Sequence, residues 1–320
     1  MKDQAKRNEQ ELGAAQKEMA AMMTKWRAEH SVYLTAEEVY EQYLLLRQTQ
    51  GRGFLTGFSP FDELAGDVRR GNFYILAGYA GVGKTTLALN LAWQLAQLRN
   101  VWVYCLELSA SELMFDFLGP HVLGVENLTE AQKTEAYAII QPSGMRFHDP
   151  FGYLPWDRHL DQIERVVRKE QVEICILDNF HYLTRSNRNT VEIEGVASKR
   201  IKSLAQELNI PIILIHHLRK PDTSSGVEAA PNQHAMRGNA ALMADCSGAF
   251  LLHHPMSDGE FGDRHPVGHL RYSKARYGAG GKKFLRLDGA RRTYTRAISD
   301  EYVQPRGGGT RRLRYGGGDE

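Results

Sequence analysis

Residues 78 to 86 read Gly-Tyr-Ala-Gly-Val-Gly-Lys-Thr-Thr, a complete phosphate-binding loop. Gly78, Gly81 and Gly83, with Val82 between the last two, let backbone N–H groups close around the α and β phosphates of a nucleotide. Lys84 suits the β and γ phosphates, the Thr85 hydroxyl suits Mg²⁺, and Thr86 completes the loop. Three more groups end apolar runs, where an α/β sheet presents its chemistry. Glu107 follows Val-Trp-Val-Tyr-Cys-Leu and could polarise the water that attacks a γ phosphate, although an acidic residue at a strand end is more often a helix cap or solvated. Asp178 closes Val-Glu-Ile-Cys-Ile-Leu and takes the place of a carboxylate held to Mg²⁺ with Thr85. His216 and His217 end Ile-Ile-Leu-Ile. Neighbouring strand residues face opposite ways, so only one of the pair can meet the γ phosphate, and one or both are core histidines. Lys274 and Arg276 stand two apart at a strand end, hence on one side. Taken alone they read as a solvated basic end; the chemical alternative is an arginine finger for a neighbouring subunit.

Such a loop needs a strand before it and a helix after it. Phe73 to Ala77 is an apolar run, and Leu87, Leu89, Leu91 and Ala92 give the helix. Similar runs predict strands at 73–78, 101–107, 173–178, 211–217, 248–253, 268–274 and 283–288, alternating with helical segments from about 54 to 297. The first four are unbroken, as in parallel strands covered on both faces. The expected class is α/β, with a twisted, mostly parallel central sheet preceded by N-terminal helices. One of these spans residues 8–28, with Leu12, Met19 and Trp26 at seven-residue spacing; the next follows a Thr35–Glu38 capping box and carries Val39, Tyr40, Tyr43 and Leu44. The expected organisation is a helical segment over 1–53, a core over 54–297 and a flexible Gly- and Arg-rich tail over 298–320.

The chain has 320 residues, 42% of them hydrophobic, which is ample for a core. Lys and Arg total 40 against 38 Asp and Glu, so there is no global field for nucleic acid and any such binding must use local loops. Cys105, Cys175 and Cys246 are scattered, which suits a reducing compartment and gives no metal site. The pairs His216-His217 and His253-His254 diverge along their strands and make poor metal ligands. With no secretory apolar stretch and no membrane-length run, the expectation is a cytoplasmic protein without a membrane partner.

Taken in order, GFLTGFSPFDELAG, GYAGVGKTT, LELSASELM, ILDNFHYL, IHHLRKP, MRGNAAL and SKARYG resemble the motor domain of the DnaB and Twinkle type of ring-forming replicative helicases, which are RecA-like P-loop ATPases. The resemblance covers about residues 54–297. It implies that Glu107 is the catalytic base, Asp178 a Mg²⁺ ligand, His217 the sensor, and Lys274 and Arg276 the pair inserted into a neighbour's site. It implies ATP or another nucleoside triphosphate with Mg²⁺ as cofactors, and translocation from 5′ to 3′ during replication.

Two polar loops are the implied grip on single-stranded DNA, one with Arg185, Asn187 and Arg188, the other with Arg219, Arg237, Gly238, Asn239 and Ala240. Phosphate contacts of this kind carry little sequence preference and strong salt dependence. A finger in trans requires a homo-oligomer, for which the family expectation is a hexamer, with a primase, polymerase or loader as further partners. The N-terminal helix would dock on the adjacent subunit or on its own domain. The sequence departs from one branch in having Thr223 and Ser224 where lysines often occur. Some 53 residues before the motor leave no room for a full helical collar, and no Cys cluster suits a primase zinc module, a layout that fits a phage or plasmid enzyme. The alternative reading is a recombinase-like or mediator ATPase that binds DNA as an ATP-controlled filament or ring without unwinding.

Overall fold

Runs of β-branched and aromatic residues become the strands of one sheet, because only a fully covered sheet can bury such runs on both faces. The computed structural model describes residues 35–49, 53–149, 154–184, 190–218, 230–231, 235, 240–256 and 264–302. Among them the strands of this sheet are β1 (Phe73–Gly78), β2 (Val101–Cys105), β3 (Met145–Phe147), β4 (Ile174–Asp178), β5 (Ile212–His217), β6 (Gly248–His253), β7 (Val267–Ala275), β8 (Gly281–Asp288) and β9 (Thr293–Arg296). Their spatial order is β9-β8-β7-β6-β1-β5-β4-β2-β3. Every pair from β6 to β3 is parallel, whereas β6, β7, β8 and β9 are joined antiparallel. All residues of β1, β2, β4 and β6 are buried. β8, near the sheet edge, buries only Leu285 completely.

The described helices include α1 (Ala36–Thr49), α2 (Ser59–Ala65), α3 (Lys84–Ala96), α4 (Glu130–Ile140), α5 (Trp156–Glu170), α6 (Thr190–Leu208) and α7 (Ala240–Asp245), together with a helical stretch over 110–123. Capping boxes start two of them, Ser109 with Glu112 and Thr129 with Gln132. In α5, His159, Leu160, Ile163 and Val167 form the buried stripe that helical periodicity requires. The helix α3 packs against β1, β2, β3, β4 and β9, and α6 packs against α5 and α7.

The mostly parallel α/β sheet is the architecture expected, with three differences of detail. The run expected over 101–107 stops as a strand at Cys105, where Leu106 N–H bonds Asp178 C=O at 2.6 Å and the chain turns. β3 and β9 were not expected; three or four residues show no readable period. The order also continues beyond residue 297, since a turn at Ser299–Glu301 brings Tyr302 against Phe284 and His269, with ring centroids 5.2 and 5.3 Å away.

The chain divides into two compact units, residues 1–54 and 55–320. In the first, α1 begins directly after Thr35, whose carbonyl accepts Val39 N–H at 3.0 Å. Val39, Tyr40, Tyr43 and Leu44 are exposed on it. The stripe of Leu12, Met19 and Trp26 and the Gly-rich tail lie outside the described residues. Among the described residues no helix is long and apolar enough to cross a membrane, and Cys105, Cys175 and Cys246 are buried free thiols.

Histidines packed into this fold set its response to acid. Burial lowers His254 to about 4, His269 to about 3 and His148 to about 4, all from an ordinary 6.5. The folded state keeps them neutral while the unfolded chain protonates, so their contribution is complete above about 6.5 and is lost as pH falls towards 4. Asp178, raised to about 6, acts in the opposite sense but is one group against three. The urea midpoint at pH 5 should lie below that at pH 7.5, and an unchanged midpoint would contradict neutral burial.

Candidate nucleotide-binding and hydrolysis site

Parallel register brings the ends of four strands to one edge. Gly78 lies opposite His217 across β1 and β5, and Cys105 lies opposite Asp178 across β2 and β4. The phosphate loop leaves β1 at this edge and turns into α3 through Gly83, whose φ of 85° is a left-handed conformation that side chains resist. Gly78 is needed for a different reason, since a Cβ there would sit 2.6 Å from the Leu252 carbonyl oxygen of β6.

Lys84 is 4% exposed, and its Nζ donates to Tyr79 C=O at 2.8 Å. Burial lowers its pKa to about 8, opposed by the charges of Asp178 and Glu107. The same Nζ is 3.4 Å from His217 Nδ1. The Thr85 hydroxyl donates to Asp178 Oδ2 at 2.6 Å. Burial raises the Asp178 carboxyl to about 6, partly offset by that hydrogen bond. Its other oxygen, Oδ1, is buried without a hydrogen-bond partner among the described residues. A buried carboxylate oxygen left open beside a threonine hydroxyl fits a hard cation with oxygen ligands, so Thr85 and Asp178 are a suitable Mg²⁺ pair.

Glu107 lies just past the end of β2 and is exposed, with Oε2 accepting from Asn179 Nδ2 at 2.6 Å and lying 3.7 Å from His217 Nε2. The two histidines divide as alternation demands. His217 faces Lys84 and Glu107, while His216 is buried with its ring edge-on to Phe180 at 6.0 Å. Burial lowers His217 to about 4, with Lys84 adding to the effect.

The loop is supported from behind by residues that sequence reading missed. Tyr294 of β9 is buried, its hydroxyl donates to Val82 C=O at 2.8 Å, and it lies 3.2 Å from His254 Nε2. Asn90 of α3 fixes the same strand, accepting Tyr294 N–H at 2.7 Å. Arg264 bridges the Ala80 and His254 carbonyls at 3.1 and 2.8 Å. No local pattern marks Tyr294, which returns to the loop on the antiparallel strand β9, or Arg264, which returns to it from between β6 and β7. Asn179 had a signal, since it directly follows Asp178.

Lys274 and Arg276 are not at this edge. Lys274 lies opposite Ala249, which is level with Ile75, and Arg276 N–H bonds Ser247 C=O while Ser247 N–H bonds Phe73 C=O. Arg276 is therefore level with the start of β1, five residues or about 16 Å along the strand from Gly78. Its side chain is exposed just beyond β7. Lys274 Nζ instead binds the Met243 and Ala244 carbonyls at the end of α7, the latter at 3.0 Å. Of the DNA-loop candidates, Arg185, Arg188, Arg219, Arg237, Gly238 and Asn239 lie outside the described residues, and Ala240 begins α7. The helices that follow the two loops are tied together, Ser198 Oγ of α6 donating to Asp245 Oδ2 of α7 at 2.9 Å.

A phosphate loop at the carboxyl edge of a parallel sheet, with a Thr–Asp pair beside it, defines a P-loop α/β protein of RecA-like architecture. The profile of the DnaB-like helicase C-terminal domain matches residues 53–295, and the chain belongs to that family. It is 29% identical over 182 residues to a probable plasmid replicative DNA helicase of Chlamydia muridarum, covering 52% of this chain and 40% of that one. It is 23% identical over 254 residues to the replicative DNA helicase DnaB of Haemophilus influenzae, covering 74% and 54%. The chain thus spans about half or less of the length of these relatives. Among solved structures, an isolated ATPase domain aligns with a TM-score of 0.67 at 18% identity, covering 82% of this chain and 98% of that one. A DnaB-like replicative helicase, solved in a study of its interactions with primase, aligns with a TM-score of 0.65 at 17% identity, covering 88% and 72%. These likenesses carry the fold.

Tyr294→Phe removes the donor that holds Val82 C=O behind the loop. It should destabilise the protein by about 1–3 kcal/mol in urea unfolding and weaken ATP binding in titration calorimetry, as expected for a buried acceptor left unmet. Unchanged affinity would remove Tyr294 from the support of the loop.

Proposed function

We propose that the chain is the motor of a replicative ring helicase, which hydrolyses ATP, moves along single-stranded DNA from 5′ to 3′ and separates duplex during replication. The observation that carries this reading is the placement of complementary groups at opposite ends of one sheet: the phosphate loop, Asp178, Glu107 and His217 at one end, Arg276 at the other.

Gly78, Gly81, Val82, Gly83 and Thr86 form the cradle for the phosphates, and Lys84 meets the β and γ groups. Thr85 and Asp178 would hold Mg²⁺, which when bound neutralises charge on the phosphates. Glu107 is the base that receives the proton of the attacking water, and His217 senses the γ phosphate from the next strand. Arg276 completes the site of the adjacent subunit, and Lys274, the other member of the basic pair, stands beside it at the same end. Arg185, Arg188, Arg219, Arg237, Gly238, Asn239 and Ala240 are the proposed DNA contacts. The assembly is a homohexamer acting in the cytoplasm, with primase, polymerase or a loader as partners; the plasmid helicase among the relatives supports a plasmid or phage setting.

Lys84→Ala should abolish nucleotide binding and hydrolysis together. Arg276→Ala should spare nucleotide binding while lowering turnover by roughly 10³. In mixtures with the wild type and single-stranded DNA, ATP hydrolysis should fall faster than the wild-type fraction. A rate linear in that fraction and indifferent to DNA would overturn the shared-site motor. DNA-stimulated hydrolysis without duplex separation would favour the filament ATPase instead.

A further inference from the structure

Arg276 is exposed, and among the described residues its guanidinium has no hydrogen-bond or ion-pair partner. Where that group points is therefore set by the backbone that carries it. On one side, Arg276 N–H bonds Ser247 C=O at 3.2 Å, next to the start of β6. On the other, Gly278 turns with a φ of 86°, and Gly280 N–H bonds Leu64 C=O at 3.3 Å in the last turn of α2. A Cβ on Gly278 would sit 2.5 Å from the Ala65 carbonyl oxygen, so the turn lies directly on the end of that helix.

Between these anchors stands Tyr277, whose ring is covered by the Arg69 guanidinium, with Cζ 3.7 Å from the ring centroid. Arg69 is itself fixed. It belongs to the short strand Val68–Arg69, and its N–H donates at 3.0 Å to the hydroxyl of Tyr74, a buried residue of β1. Its Nε is buried without a hydrogen-bond partner among the described residues, and the ring face takes the place of one. The stack thus ties the turn that carries Arg276 to the strand that leads into the phosphate loop.

We propose that Arg69 and Tyr277 are positioning residues that aim Arg276 at the nucleotide of the neighbouring subunit. This rests on the reading of Arg276 as the arginine finger. A long side chain has reach but little direction of its own, and holding the ring beside it restricts the root from which it swings. The side chain stays free to enter a neighbour's site, while the turn beneath it does not drift.

The test uses the full chain with saturating ATP and oligothymidylate, reading turnover, and titration calorimetry for ATP affinity. Tyr277→Ala and Arg69→Met each remove the stack, whereas Tyr277→Phe keeps the ring. Turnover should fall about tenfold in each of the first two, the scale of one partly desolvated cation–π contact. It should fall no further when they are combined, with ATP affinity unchanged throughout. Tyr277→Phe should retain wild-type turnover. In an Arg276→Ala background, Tyr277→Ala should have no additional effect, because no guanidinium remains to be aimed. Wild-type turnover in both Tyr277→Ala and Arg69→Met, or the same fall with and without Arg276, would overturn the positioning role and leave the stack as packing. Wild-type turnover in Arg276→Ala would overturn the finger reading and this proposal with it.

Discussion

The hydrogen-bond register among β1, β5, β4 and β2 is the constraint on which the candidate site depends. Side chains in a strand alternate, so a slip of one residue would turn a functional group into the core or out of reach. The register fixes Gly78 against His217 and Cys105 against Asp178. Thr85 can then reach Asp178, and Glu107 can approach His217. Register is in turn fixed by burial, because β1, β2 and β4 have no exposed residue at which a slip could be absorbed by solvent. The apolar runs therefore do more than fill a core: they index the chemistry.

The antiparallel half of the sheet has a different task. It returns Arg264 and Tyr294 to the back of the phosphate loop, where their hydrogen bonds hold Ala80 and Val82. A loop built for flexible closure around phosphates has few side chains with which to hold itself. Here its shape is imposed from outside, by residues nearly two hundred positions away or more. The crowding of Gly83 against the Tyr294 hydroxyl, where a Cβ would come within 2.5 Å, shows how closely the two halves meet.

Much of this arrangement was legible in the amino-acid order. The phosphate loop, Asp178 and the central strands announced themselves because glycine spacing and unbroken apolar runs are local signals. Alternation required His216 and His217 to face opposite ways, and the resemblance singled out His217. What could not be read has one physical cause, contact between residues distant in sequence. Tyr294 lies in a four-residue strand with no period, and Arg264 in no strand of the sheet at all. Lys274 looked equivalent to Arg276 from spacing, yet the carbonyls at the end of α7 engage the first and leave the second exposed. The Asn179 bond to Glu107 spans 72 positions and depends on how two strand ends converge.

The antiparallel course of β7 also gives the subunit a polarity. If Arg276 serves a neighbouring site as proposed, a two-fold pair with antiparallel sheets could satisfy both partners at once, each loop meeting the other's arginine, whereas head-to-tail, heterologous packing leaves one end open until the chain of subunits closes on itself. Closure is then what equalises the sites. In an open row the last subunit would hold a loop with no arginine supplied to it, and the first an arginine with no loop to serve.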